Sequence, residues 1–132
     1  MVEIRWTAIS EVNPKDDYFA YAGYAERKSA WSYFNYLMKA RKVQKQLNQA
    51  KGLIGFTARL GFFDKQVIQL AVFENENALK AFSHSGQHAT CMETTKPSLK
   101  WLKNATWNIL GSDIPPKIDD ALMRIENVDG RR

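Results

Sequence analysis

A single cysteine, Cys91, is all the thiol chemistry available to the chain, which excludes an intramolecular disulfide and any thiolate metal cluster. Cys91 stands beside Met92 in a helical pattern, where a small buried hydrophobe is the plain reading and a nucleophile the alternative. Long apolar runs are lacking as well. The stretch from Ile68 to Phe73, interrupted at Gln69, falls far short of the roughly 20 residues that a membrane-spanning helix needs. The N-terminal MVEIRWTAIS has neither a basic region followed by an apolar core nor a small-residue cleavage site, so a cytoplasmic protein is expected. No glycine-rich phosphate loop, catalytic triad, zinc pattern or flavin fingerprint occurs. Acidic residues are missing from 27 to 63, while Arg27, Lys28, Lys39, Arg41, Lys42, Lys45, Lys51 and Arg59 all lie there. The net charge of +5 is therefore concentrated in the middle of the chain. Its plain reading is a solvated helix face, and the alternatives are attraction to nucleic acid, an anionic lipid surface or a small anion. Association with nucleic acid would weaken steeply with salt.

What is present suffices for one domain spanning 1–132, since 45% of the residues are hydrophobic and 12% aromatic. The strongest local signal is Val67 to Glu74. Eight residues dominated by Val, Ile, Leu and Phe end at an acid and a turn former, which describes a buried strand. Asn75 is placed to cap a following helix, with Glu76 favouring its positive end. Leu79, Phe82, Gly86 and Ala89 recur at helical spacing, so one face of that helix rests on the sheet, with an interruption at Gly86.

The remaining elements follow from periodicity. Residues 2–9 alternate as an N-terminal strand, and EVNPKDD at 11–17 is a loop. Tyr18 to Tyr24 is an aromatic strand with Tyr18, Ala20, Ala22 and Tyr24 on one side and Phe19, Tyr21 and Gly23 on the other. Its small residues suggest a helix or ligand lying close. Ser29 caps the longest helical pattern, in which Tyr33, Tyr36, Ala40, Val43, Leu47 and Ala50 form a stripe ending at Gly52. Trp31, Phe34, Leu37 and Met38 add a second apolar flank, and Lys39 to Lys51 carries the basic face. Leu53 to Phe62 alternates, with Ile54, Phe56, Ala58 and Leu60 opposite Gly55, Thr57 and Arg59, and a short link turns it into the strand at 67–74 as a hairpin. Pro97 breaks the second helical pattern, Ala105 to Leu110 is a last strand, and 117–128 is a C-terminal helix with Ile118, Ala121, Leu122 and Ile125 on one face.

Strand, helix, strand, strand, helix, strand over 17–111 is the ferredoxin-like βαββαβ order, an α+β fold with one antiparallel sheet and both helices on one face. Phe19, Tyr21 and Phe73 are expected to share the opposite face with Thr57, Arg59 and Gln69. Leaving such a patch wet is unfavourable, so a homodimer packing sheet against sheet is expected to cover it.

The segments Leu70-Ala71-Val72-Phe73-Glu74, Ala78-Leu79-Lys80-Ala81-Phe82 and Ser85-Gly86-Gln87-His88 resemble the dimeric α/β-barrel superfamily that includes antibiotic-biosynthesis monooxygenases. Ser85-Gly86-x-His88 and the Ile114-Pro115-Pro116 approach to the last helix are similar to its spheroidene-monooxygenase-like branch. The resemblance implies a pocket between sheet and helices, with oxidation of an aromatic or isoprenoid substrate, or haem chemistry, as activities. In haem-degrading members the proximal histidine lies farther along the second helix, where Met92 stands here, and Phe73 and Phe82 occupy positions where tryptophan is frequent.

His88 is the leading catalytic candidate. Ser85 can cap a fresh helical turn, and the dipole there disfavours imidazolium, leaving a neutral imidazole able to accept a proton; the alternative is a histidine that only bonds backbone at the break. His84, four residues earlier, has metal-ligand spacing, yet no carboxylate completes a site and no metal is assigned. Arg59 can meet a carboxylate or enolate, or pair with an acid across the hairpin. Tyr21, Thr57, Gln69, Phe73 and Asn108, expected on the same face, supply polar groups among apolar walls, with interface packing as the alternative. Two functions stand side by side. One is a cofactor-independent monooxygenase acting on a small hydrophobic or aromatic substrate, and the other a non-catalytic small-ligand or haem-binding protein using the same pocket.

Overall fold

The computed structural model describes residues 2–27, 45, 51–61, 65–83 and 99–129. Five strands form one antiparallel sheet: β1 (Val2–Ala8), β2 (Asp17–Arg27), β3 (Leu53–Leu60), β4 (Gln66–Phe73) and β5 (Leu99–Leu110). Their order across the sheet is β1-β3-β4-β2-β5. Leaving β1 aside, this is the ferredoxin-like order, and β1 extends it at the β3 edge. Helix α1 (Glu76–Ser83) follows β4, and helix α2 (Ile118–Asp129) closes the chain after a 3₁₀ turn at Gly111–Asp113. Between β2 and β3, Lys45 is helical and exposed. Among the described residues no helix is long and apolar enough to cross a membrane.

Local chemistry accounts for the turn that aims α1. The backbone N–H of Glu74 donates to the carbonyl of Gly52 at 2.7 Å, tying the end of β4 to the start of β3. Gly52 has φ of 80°, a left-handed conformation that favours glycine. A Cβ there would also lie 2.8 Å from the Ala78 Cβ, so the glycine lets α1 come down beside the hairpin. Asn75 caps the helix: its Oδ1 accepts from the Ala78 N–H at 2.9 Å. Such a cap is worth about 1 kcal/mol.

Register sorts the side chains into two layers. Phe19 pairs with Phe73, Tyr21 with Ala71 and Gly23 with Gln69 across β2–β4, while Phe56 pairs with Ala71 across β3–β4. These residues share the face on which α1 lies, and Phe73, Leu53, Phe56 and Phe82 form its buried cluster. The opposite face gathers Tyr18, Ala20, Ala22, Leu70, Val72, Ala105, Trp107 and Ile109 with Ala121 and Ile125 of α2. Its central residues are small, which lets α2 sit close to the sheet. On the same face Trp6 of β1 lies against Gly55, where a Cβ would be 2.3 Å from the indole.

On the face opposite α1 the C-terminal helix is packed in cis, because its stripe of Ile118, Ala121, Leu122 and Ile125 matches the alanine-rich strip beneath it. The expected alternation of β3 is corrected. A register shift between Leu53 and Gly55 breaks the alternation, so Ile54 joins the α2 side while Phe56 stays on the α1 side. The last strand is also longer than expected, beginning at Leu99 rather than Ala105.

Candidate functional site

The α1 side of the sheet has an apolar half and a polar half. In the apolar half the rings of Phe73 and Phe82 lie 5.8 Å apart, centroid to centroid, over Leu53 and Phe56. Phe73 and Leu53 are fully buried, each contributing about 2 kcal/mol of hydrophobic stabilisation. Toward β5 the same face turns polar. Tyr21 pairs with Thr106, Gly23 with Asn104 and Phe19 with Asn108.

Gly23 is the pivot of this polar half. A Cβ at Gly23 would lie 2.9 Å from the Tyr21 hydroxyl, so the phenol folds over the glycine and occupies the space a side chain would take. Gly23 is in turn the cross-strand partner of Gln69 on β4 and Asn104 on β5. The Tyr21 oxygen is therefore delivered into a row carrying two primary amides. Burial raises the Tyr21 phenol above its ordinary value of 10.0, because desolvation penalises the phenolate. At neutral pH it is a protonated hydrogen-bond donor. A donor held in a partly dry site, beside amides and an aromatic wall, is suited to an oxyanion or enolate developing on a substrate.

The expectation that six residues line one face is corrected by the register. Tyr21, Gln69, Phe73 and Asn108 share one face, but it is the α1 side and not the expected face opposite the helices, with Phe73 and Asn108 both paired to Phe19. Thr57 pairs with Leu70 and Arg59 with Ile68, which puts both on the α2 side. Thr57 is buried there. Inside β3 the alternation separated Thr57 and Arg59 from Phe56 and Ala58 correctly; which of these sets joins Tyr21 is decided only by inter-strand pairing. Asn104 was missed because the strand was expected to begin at Ala105, and Thr106, inside the expected strand, was not singled out as a site residue. His84 and His88 lie outside the described residues, as do Cys91 and most of the basic stretch 39–51, so the haem and metal readings that rest on the histidines lie outside them too.

No protein-family model and no curated protein sequence matches the chain. Solved structures do match. A protein from Nitrosomonas europaea, provisionally assigned as an antibiotic biosynthesis monooxygenase, is similar over 76% of this chain and 93% of its own, with a TM-score of 0.64 and 12% identity. A provisionally assigned monooxygenase from Fusobacterium nucleatum has a TM-score of 0.65 and 11% identity over 80% of this chain and 48% of its own, so the match spans about half of that protein. A further antibiotic biosynthesis monooxygenase is similar over 69% of this chain and 95% of its own, at a TM-score of 0.59 and 8% identity. At these identities the likeness is one of fold, the α+β ferredoxin-like arrangement.

Proposed function

We propose that this chain is a monooxygenase-like protein that oxygenates a small hydrophobic or aromatic substrate on the α1 side of its sheet, without a metal or organic cofactor. The observation that carries the reading is the Tyr21 phenol, kept protonated by burial and aimed into the Gln69–Gly23–Asn104 row beside the Phe19 and Phe73 wall. The fold shared with proteins named as monooxygenases supports it.

The chemistry suits a carbon acid whose conjugate base is an enolate. A base removes the proton, a role for which His88 is the candidate from sequence, and Tyr21 donates a hydrogen bond to the oxygen on which charge develops. Dioxygen adds to the carbanion, and the resulting hydroperoxide loses water to leave a carbonyl. One dioxygen is consumed and one water released per substrate.

The test is oxygen uptake by purified protein with an anthrone-type or other doubly activated carbon acid under ¹⁸O₂. The expected result is stoichiometric uptake, one labelled oxygen in the product, and a fall in kcat of about 100-fold in Tyr21→Phe, the usual cost of losing an oxyanion donor. Uptake no faster than the uncatalysed reaction, or uptake indifferent to both Tyr21→Phe and His88→Ala, would sink the proposal. A coloured protein whose Soret band disappears in His88→Ala would replace it with haem binding.

A further inference from the structure

β5 is an edge strand of the sheet, 12 residues long, and among the described residues no strand pairs with its outer side. From Asn104 to Leu110 it carries neither a charge nor a proline, the residues that usually blunt an exposed edge. An edge of this kind is a template for another strand. The side chains that β5 turns toward the α1 side are Leu102, Asn104, Thr106, Asn108 and Leu110, all exposed. The series reads the same in either direction from Thr106. We propose that β5 is the surface through which two copies of this chain associate, antiparallel and edge to edge, on a twofold axis at Thr106.

Pairing about Thr106 sets Leu102 opposite the partner's Leu110, Asn104 opposite the partner's Asn108 and Thr106 opposite the partner's Thr106. Directly opposed residues of an antiparallel pair stand on the same face, so apolar meets apolar, amide meets amide and hydroxyl meets hydroxyl. Leu102 and Leu110 are 40% and 46% exposed, and this register takes both out of water together. Moving the axis by one residue, to Ala105 or to Trp107, sets a leucine against an asparagine instead. Charge favours the antiparallel sense. The start of β5 carries Lys100 and Lys103, of which Lys100 is matched by Glu26 at 3.4 Å, leaving a net positive end. Its far end is acidic: Leu110 is the cross-strand partner of Asp17, and Asp113 follows in the 3₁₀ turn, both acids exposed. Antiparallel association brings the basic end of each copy to the acidic end of the other, whereas a parallel one would gather lysine with lysine. Pairing residues 102–110 supplies about eight to ten main-chain hydrogen bonds, about the number of direct hydrogen bonds in a typical protein interface. The axis also passes beside Tyr21, the cross-strand partner of Thr106, and the Gln69–Gly23–Asn104 row continues across it into the partner's Asn108.

The experiment is sedimentation velocity of the full chain, with disulfide trapping to read the register. The native chain is expected to reach twice its 15.2 kDa mass with rising concentration. Thr106→Lys, which opposes two ammonium groups on the axis, should raise the dissociation constant about 10-fold with the circular dichroism spectrum unchanged. In a Cys91→Ser background, Thr106→Cys should link to itself under mild oxidation, because directly opposed Cα atoms are about 4.5–5.5 Å apart, within disulfide reach. Leu102→Cys should not link to itself, since its two copies would be about 26 Å apart at about 3.3 Å per residue. Mixed with Leu110→Cys it should link. The sedimentation arm serves if the Cys91→Ser background does not fold, and the trapping arm if Thr106→Lys does not. A native chain that stays monomeric across the micromolar range, a dimer indifferent to folded Thr106→Lys, or Leu102→Cys linking to itself as readily as Thr106→Cys would overturn the proposal. Oxygen uptake does not enter: a monomer that oxygenates sinks this pairing alone, and a β5 dimer that does not oxygenate sinks only the oxygenase reading.

Discussion

Replacing Ile125 by alanine tests whether the C-terminal helix seals the second face of the sheet. Ile125 is 2% exposed, inside the cluster that joins α2 to β2, β4 and β5. The substitution deletes three carbon atoms, and at about 0.8 kcal/mol for each buried methylene the transfer loss is about 2.4 kcal/mol. The cavity left among Ala20, Ala22 and Trp107 adds to this, for a total of about 3 kcal/mol. Unfolding entropy runs near 2.1 cal/mol/K per residue, so 132 residues give about 0.28 kcal/mol/K and the expected fall in Tm is about 11 °C. The matched control is Met123→Ala, two residues earlier on the same helix but 59% exposed, for which a change within about 0.5 kcal/mol, or under about 2 °C, is expected. Both would be followed by circular dichroism on heating and in urea, at two protein concentrations so that self-association is separated from intrinsic stability. If Ile125→Ala cost no more than Met123→Ala, α2 would not be packed on the sheet.

Gly55→Ala should cost about 2 kcal/mol, because its methyl would enter the Trp6 indole at 2.3 Å, and adding Trp6→Ala should recover part of that loss in a double-mutant cycle followed by urea unfolding. Asn75→Ala removes the cap whose oxygen accepts from Ala78, so a loss of about 1 kcal/mol is expected, with faster amide exchange confined to the first turn of α1. The raised Tyr21 pKa has a defined sign. Above the unfolded value of 10.0 the unfolded chain releases the phenolic proton first, so stability falls as pH rises from there and levels off past the folded value. Spectrophotometric titration at 295 nm should show a late phenol that disappears in Tyr21→Phe, and the alkaline fall in stability should be shallower in that variant.

The site was legible in part, and the boundary between the legible and the illegible is physical. Tyr21, Gln69 and Phe73 could be picked out because polar and aromatic residues interrupt runs that otherwise pack. Arg59 was singled out on chemistry, yet it lines a pocket on the other layer, together with Tyr24 and Gln66, which no local pattern marked. Tyr24 read as one more strand aromatic, and Gln66 as a hairpin link. Their conjunction depends on a hydrogen bond across 42 positions of sequence. Leu99 to Asn104 escaped notice because the edge strand leaves Leu102 40% exposed, so its alternation does not sort cleanly by hydrophobicity.

By itself the sequence determined most of the described elements. The β4 run, the Asn75 cap and the amphipathic stripe of α2 are all set by interactions within a few residues, which is the range over which composition and periodicity act. Tertiary structure alone decided which faces meet. A strand alternates with period two whichever neighbour it finds, and one register shift between Leu53 and Gly55 is enough to send Ile54 and Phe56 to opposite layers. The placement of α2 over Ala20, Ala22 and Ala105 was likewise settled by shape complementarity between distant segments, and with it the separation of the Tyr21 face from the Arg59 pocket.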